Sequence, residues 1–171
     1  MRKHYHTFAG YNAWANRRLY EAAAALSDTE YRADCGAFFK SMHGTLNHLL
    51  ATDRIWMKRF TGEGDAPDRL DAILHEGFAE LQAAREAEDR RIIAWIDGLD
   101  EARLAGVIRY RRVSTPDEFV QELMPALDHW FNHQTHHRGH AHMILTSLGK
   151  PAPELDLLFY QRVVAAGVGG S

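Results

Sequence analysis

The sequence predicts an all-α protein, a four-helix bundle with a short extended segment before its last long helix. Three observations carry that prediction. Four long stretches repeat apolar residues at the three-and-four spacing of a helix face. Glycine, proline and capping residues punctuate the short connections between them. One segment only, Gly106 to Val113, breaks the helical period with β-branched residues. The chain has 171 residues, enough to bury a sizeable core, and reads as a single domain spanning 1–171.

The first helix is expected over about Tyr5 to Leu26, where Phe8, Tyr11, Ala15, Leu19, Ala22 and Leu26 recur at helical spacing. Asn12 and Asn16, one turn apart, either hydrogen-bond into a site or face water, the second being slightly favoured. Ser27-Asp28-Thr29-Glu30 is a helix-capping sequence that starts a further short turn. A second helix runs from about Phe38 to Phe60 on a core stripe of Met42, Leu46, Leu49, Trp56 and Phe60, and Gly62 and Gly64 end it. A third spans about Arg69 to Leu99, with Leu70, Ile73, Leu74, Phe78, Leu81, Ile92 and Ile96 facing the core. Its charged middle, Gln82 to Arg91, reads as a solvated face.

Gly106 to Val113 is expected to be extended, a short hairpin strand whose Arg109, Arg111 and Arg112 line a solvated edge. Thr115-Pro116-Asp117-Glu118 supplies an N-cap, a first-turn proline and a capping-box glutamate for the fourth long helix. Pro125 within it implies a kink or a restart. Gly149-Lys150-Pro151 ends that helix, Leu155 to Val164 is a short amphipathic segment, and Gly167 to Ser171 is expected to fray.

The fourth helix carries the chemistry. Six of the chain's 11 histidines lie between His129 and His142. The pairs His129/His133, His133/His137 and His136/His140 are each four apart, so each presents two imidazoles on one helix face. The apolar stripe of Leu123, Leu127, Trp130, Ala141, Ile144 and Leu148 selects among them. It runs over His133, Gln134 and His137, with His140 at its edge and His129 and His136 on a flank. Two imidazoles in a core stripe are either tied up by hydrogen bonds or given to a metal. A third ligand from elsewhere separates the two. His48, beside the stripe of the second helix among Thr45, Asn47 and Thr52, has room to reach inward. His43 lies nearly half a turn further round and is the weaker candidate.

Composition narrows the class. The net charge of −3 and the absence of a basic run give no case for nucleic acid. No apolar run approaches a membrane span, and the first residues lack the apolar region of a signal peptide. The single Cys35 rules out an internal disulfide framework and fits a reducing compartment, so a cytoplasmic protein is expected. Glu-x-x-His, which di-iron carboxylate bundles use on two helices, does not occur; neither does His-Glu-x-x-His or a glycine-rich phosphate loop.

Several motifs together resemble the DinB family, the DinB/YfiT-like bundles. They are Tyr11-Asn12-x-Trp14-Ala15-Asn16, Gly36-Ala37-Phe38-Phe39 and Thr45-Leu46-Asn47-His48-Leu49-Leu50-x-x-Asp53-Arg54-Ile55-Trp56. Asn132-His133-Gln134-Thr135-His136-His137-Arg138-Gly139 and Asp156-Leu157-Leu158-Phe159 complete the set, which covers nearly the whole chain. The resemblance implies a divalent metal held by one histidine of the second helix and two, spaced by four, of the last. Those positions here are His48, His133 and His137. It also implies homodimers and, from the wider superfamily, thiol-dependent enzymes: S-transferases using a low-molecular-weight thiol, and an isomerase. His140 stands where many relatives have Gln, which makes it a candidate catalytic donor or an additional ligand.

Three imidazoles with an open position match a catalytic rather than a structural metal site, and zinc, nickel or iron would fit the same donors. The expected function is that of a mononuclear metalloenzyme, a transferase, isomerase or hydrolase acting on a small molecule. The alternative is a non-catalytic metal-binding or stress-response protein. Asn47, Thr52, Asp53 and Gln134 are the candidate acceptors for the ligands' second nitrogens.

Overall fold

Arg2–Ala23 folds as the first long helix, α1, but buries a face rotated from the expected one. In the computed structural model, which describes residues 1–111 and 117–167, the buried line is Tyr5, Ala9, Asn12, Asn16, Leu19 and Ala23. Phe8, Ala22 and Leu26 pack only partly. Both asparagines therefore point into the protein, not into solvent.

The capping sequence forms as expected ahead of α2 (Asp28–Arg32). Ser27 Oγ accepts from the Glu30 amide at 3.3 Å, and the Glu30 carboxylate accepts from the Ser27 amide at 2.9 Å.

Helix α3 (Met42–Thr61) begins four residues later than its periodicity suggests. Residues 37–40 close instead as a tight turn, with Ala37 and Lys40 bridged and Lys40 at φ 66°. The Lys40 amide donates to the Ala37 carbonyl at 2.7 Å, and the Lys40 carbonyl accepts from Cys35 at 2.8 Å. Ser41 Oγ then caps the helix by accepting from the Gly44 amide at 3.1 Å. Gly44 has no room for a side chain, since a Cβ there would strike the Phe39 carbonyl oxygen. The far end stops at Gly62, which takes the left-handed conformation at φ 78°.

The third long helix, α4, covers only Phe78–Asp97. Residues 69–77 are turns and bends, a strap laid across α3, and Leu70 and Ile73 are 47% and 43% exposed rather than in the core. The buried side chain of Asn47 holds the strap. Its Oδ1 accepts from the Leu74 and His75 amides at 2.8 and 3.0 Å, and its Nδ2 donates to the His75 carbonyl at 3.2 Å. Three backbone groups are thus satisfied without a helical ladder, which lets the segment leave the helix its apolar spacing suggests.

After a short helix α5 (Glu101–Leu104), strands β1 (Val107–Arg111) and β2 (Glu118–Glu122) pair antiparallel, from Val107 opposite Glu122 to Arg111 opposite Glu118. Glu118 is therefore a strand residue, not a capping-box partner. Thr115 and Pro116 lie outside the described residues. The last long helix, α6, starts at Leu123 and runs to Ser147. Pro125 is its third residue, where the ladder requires no amide donor, so no kink follows. A final helix, α7 (Leu157–Ala165), lays Tyr160 against α1, where a Cβ on Gly10 would meet the phenol oxygen. Of the expected frayed tail, residues 168–171 lie outside the described residues.

Each long helix packs on two others: α1 on α4 and α6, and α3 on the same pair. One apolar cluster gathers Trp56, Phe60, Ile92, Ile96, Leu127 and Trp130. Another gathers Leu19, Met42, Leu46, Leu81 and Ile144. Between them in each helix stands a polar layer. Arg85 forms ion pairs with Asp53 at 2.7 Å and with Asp89 at 3.0 Å, and all three are buried. Trp130 Nε1 donates to Asp53 at 2.7 Å, Asn16 Nδ2 donates to Asp89 at 3.0 Å, and Arg138 donates to Asn12. The expectation of a solvated middle for the third helix is thus corrected: Arg85, Glu88 and Asp89 are buried. Burial opposes the Arg85 charge, but Asp89 and Asp53 more than offset it and raise its pKa. Among the described residues no helix is long and apolar enough to cross a membrane.

Arg85→Met should leave two carboxylates buried without their cation and lower the unfolding free energy by about 3–5 kcal/mol. Urea denaturation followed by circular dichroism measures this. A loss of about 0.5 kcal/mol or less, the range of ordinary surface substitutions, would show that the carboxylates do not depend on it.

Candidate metal centre

The packing of α3 on α6 brings together three histidines from the two helices. His48 is 2% exposed and His137 8%, while His133 is half-buried. One nitrogen from each lies within 4.8 Å of the other two, a grouping that could hold a metal ion. The His137 ring centroid is 4.3 Å from that of His48 and 4.4 Å from that of His133, and the His48–His133 separation is 5.4 Å.

The hydrogen bonds of His48 define its free nitrogen. Its Nδ1 lies 2.7 Å from the Leu70 carbonyl oxygen, which can only accept, so Nδ1 carries the proton and Nε2 the lone pair. Nε2 is buried and has no partner among the described residues. The Nδ1 atoms of His133 and His137 are in the same condition. A buried polar atom left unsatisfied costs free energy, so each of the three calls for a partner. Three neutral imidazoles gathered in this way fit a divalent cation.

Electrostatics keep them in the form that ligates. Burial, followed by the neighbouring imidazoles, pushes His133 down to about 4 and His137 to about 3. Burial also pushes His48 down to about 4, against the opposing effect of its bond to Leu70. All three are neutral at neutral pH, as metal ligation requires.

Two features hold His48 that periodicity does not show. Phe39 stacks on its ring at 3.7 Å with 20° between planes and also lies 5.5 Å from His137. Leu70, in the strap, contributes its carbonyl. Neither carries a side-chain signal of ligation; the only hint is that Phe39 follows Gly36 in a segment unsuited to a helix start. Of the four polar residues expected as acceptors, Asn47, Thr52 and Asp53 are engaged elsewhere, while Gln134 keeps a buried Oε1 with no partner among the described residues. Asn47 holds the strap, and Asp53 pairs with Arg85 and Trp130. Gln134 Nε2 donates to Thr52 Oγ1 at 3.1 Å and to the Leu49 carbonyl at 3.2 Å, which ties α6 to α3 beside the histidines.

The remaining histidines sort by position. His129 packs against Trp56 at 5.5 Å and stands outside the triad. His43 is buried, with Nε2 3.2 Å from the His75 carbonyl. His140 lies 5.0 Å from His137, and its Nδ1 is buried and unpartnered among the described residues. With His136 and His137 it forms a second grouping within 4.8 Å.

The DinB family's sequence profile matches residues 1–166. The chain is also similar to "Protein DinB" of Bacillus subtilis (strain 168), 26% identical over 159 residues, which are 88% of this chain and 89% of that one.

The lowered histidine pKa values set the pH dependence of any divalent cation bound here. Imidazoles titrating near 6.5 would together cost up to about a thousandfold in affinity per unit below that value. With folded values near 3 to 4, protons compete only as pH falls toward them. Chelator competition should therefore show less than about tenfold loss between pH 7 and pH 5.5, and a loss near a thousandfold would mean that the site is hydrated as in free imidazole.

Proposed function

This chain belongs to the DinB family, and from that premise we propose a four-helix-bundle metalloenzyme whose divalent cation is held by His48, His133 and His137. The observation that supports it is the gathering of three histidines from two helices, one nitrogen of each within 4.8 Å of the others and each ring with a buried nitrogen that has no partner among the described residues. A cation held there supplies Lewis acidity to an oxygen or sulfur ligand at its remaining position, with zinc, nickel and iron(II) the candidates. Leu70 and Phe39 fix the orientation of His48 and leave its Nε2 free to ligate.

The reaction proposed is thiol-dependent transfer or isomerisation of a small molecule, the chemistry known in the wider superfamily. In transfer, the thiol sulfur forms a bond to an electrophilic carbon as the leaving group departs with its electron pair. The thiol proton goes to His140 or to water. His140, one turn beyond His136 and adjacent to His137, is placed to hold it.

One observation favours a second reading, a metal-binding protein without catalysis. Phe39 lies over His48, and a cavity of about 650 Å³ sits on the α1 side of α6, lined by Phe8, Tyr11, Phe131, Arg138 and Leu157 and by none of the three histidines.

Elemental analysis of untagged, dialysed protein tests the site. His48→Ala, His133→Ala and His137→Ala should each remove most of the bound metal, whereas His129→Ala should retain it; a triple replacement with full stoichiometry would refute the assignment. Small-molecule thiols assayed with electrophilic acceptors under zinc, nickel and iron(II) test the chemistry. His140→Gln should keep the metal and slow turnover by ~10²–10⁴. No thiol consumption with any of the metals would leave the non-catalytic reading.

A further inference from the structure

The buried triad poses a problem of access. Its unpartnered nitrogens are out of solvent, and Phe39 covers one face of His48. A hydrated dication cannot shed its waters in one step before finding ligands, because stripping a bare charge into a protein interior is prohibitively costly. It needs ligands that replace water gradually along the way in.

The second histidine grouping stands at that position. His136 is exposed, His140 is half-buried and His137 is buried, so the three form a ramp from solvent to the triad. His136 and His140 are four apart on one helix face, with ring centroids 4.6 Å apart, the spacing of a two-point helical chelate. His137 closes the group at 4.9 Å from His136 and 5.0 Å from His140. The same ring lies 4.3 Å from His48 and 4.4 Å from His133. It is the shared vertex of two adjoining triangles.

We propose that His136, His137 and His140 form a shallow capture site for the divalent cation, from which the ion passes to the buried triad by ligand exchange about the shared His137. The inference rests on the reading of His48, His133 and His137 as the resident site. Capture exchanges waters for His136 and His140 at the surface, and His137 joins them. Handover then replaces His136 and His140 by His48 and His133 while His137 stays bound, so the ion is never without protein ligands. No bond other than those to the ion changes, and the ion keeps its charge.

Cobalt(II), added to metal-free protein and followed by its visible absorption in stopped flow, tests the handover. His136→Ala, a change at an exposed position, should take up cobalt at least about tenfold more slowly than wild type, because the ion is no longer concentrated beside the triad. Its final affinity should be unchanged. Unaltered uptake would overturn the proposal. His133→Ala, with helicity verified by circular dichroism, should bind one cobalt weakly, and the His133→Ala/His136→Ala pair should lose that binding. If His133→Ala binds none while wild type binds one, the capture site does not exist and the resident site stands. If His133→Ala binds as tightly as wild type, the resident-site reading fails and the handover falls with it. Two tight equivalents in wild type would show independent sites and also overturn the exchange.

Discussion

Arg85 sits in the interior with a carboxylate on either side, Asp53 from α3 and Asp89 one turn along its own helix. Such a charge is tolerable only if its partners are in register, and each partner passes the requirement on. Asp53 takes the indole N–H of Trp130 on α6, and Asp89 takes the amide of Asn16 on α1. All four long helices are thereby keyed to one level. Asp53 is five residues from His48, and Trp130 is three from His133. The bond between them sets the height at which α3 and α6 present their histidines to each other, and Gln134 fastens the same two helices one turn further on. A buried ion pair of this kind is weak evidence for stability, but it penalises every sliding of one helix on another.

The protein therefore contains two polar groups of residues in its interior with opposite accounts. In one, Arg85, Asp53, Asp89, Asn16 and Trp130 answer each other. In the other, His48, His133 and His137 each keep one buried ring nitrogen with no partner among the described residues. Folding fixes the second group by satisfying the first. That division explains how three imidazoles can be kept close together although they disfavour one another's protonation.

Much of the candidate site was legible because imidazoles interrupt an apolar stripe, and the three-and-four spacing passes straight through His133 and His137. The same test applied to α4 would have found the ionic layer: Leu81, Arg85, Glu88, Ile92 and Ile96 are one stripe, although the density of charge around them suggests a solvated face. In α1 the expected stripe was right at Tyr11, Ala15 and Leu19 but missed Asn12 and Asn16, because a period fitted to hydrophobicity cannot see a buried amide. The mostly helical class, the extended segment of β1, the cap of α2 and the stop of α3 at Gly62 follow from local chemistry and were readable, whereas β2 and the Ser41 cap were not. The strap at 69–77 was not. Its apolar spacing is helical, and what defeats it is a distant side chain, Asn47, offering the backbone better bonds than its own ladder. A ligand-orienting group that is a main-chain carbonyl leaves no trace in residue type.

That last circumstance bears on how such a site can change over time. Leu70 holds His48 through an oxygen that every amino acid possesses, while its own side chain projects outward, about half exposed, as does that of Ile73 nearby. Orientation of the imidazole is thus insulated from the identity of the residue that provides it. Mutational drift can refashion the surface beside His48, altering its size, polarity or charge, without touching the bond that aims the ring. The strap separates what must stay constant from what is free to diversify, so the histidine cluster can keep its geometry while the surface beside it changes.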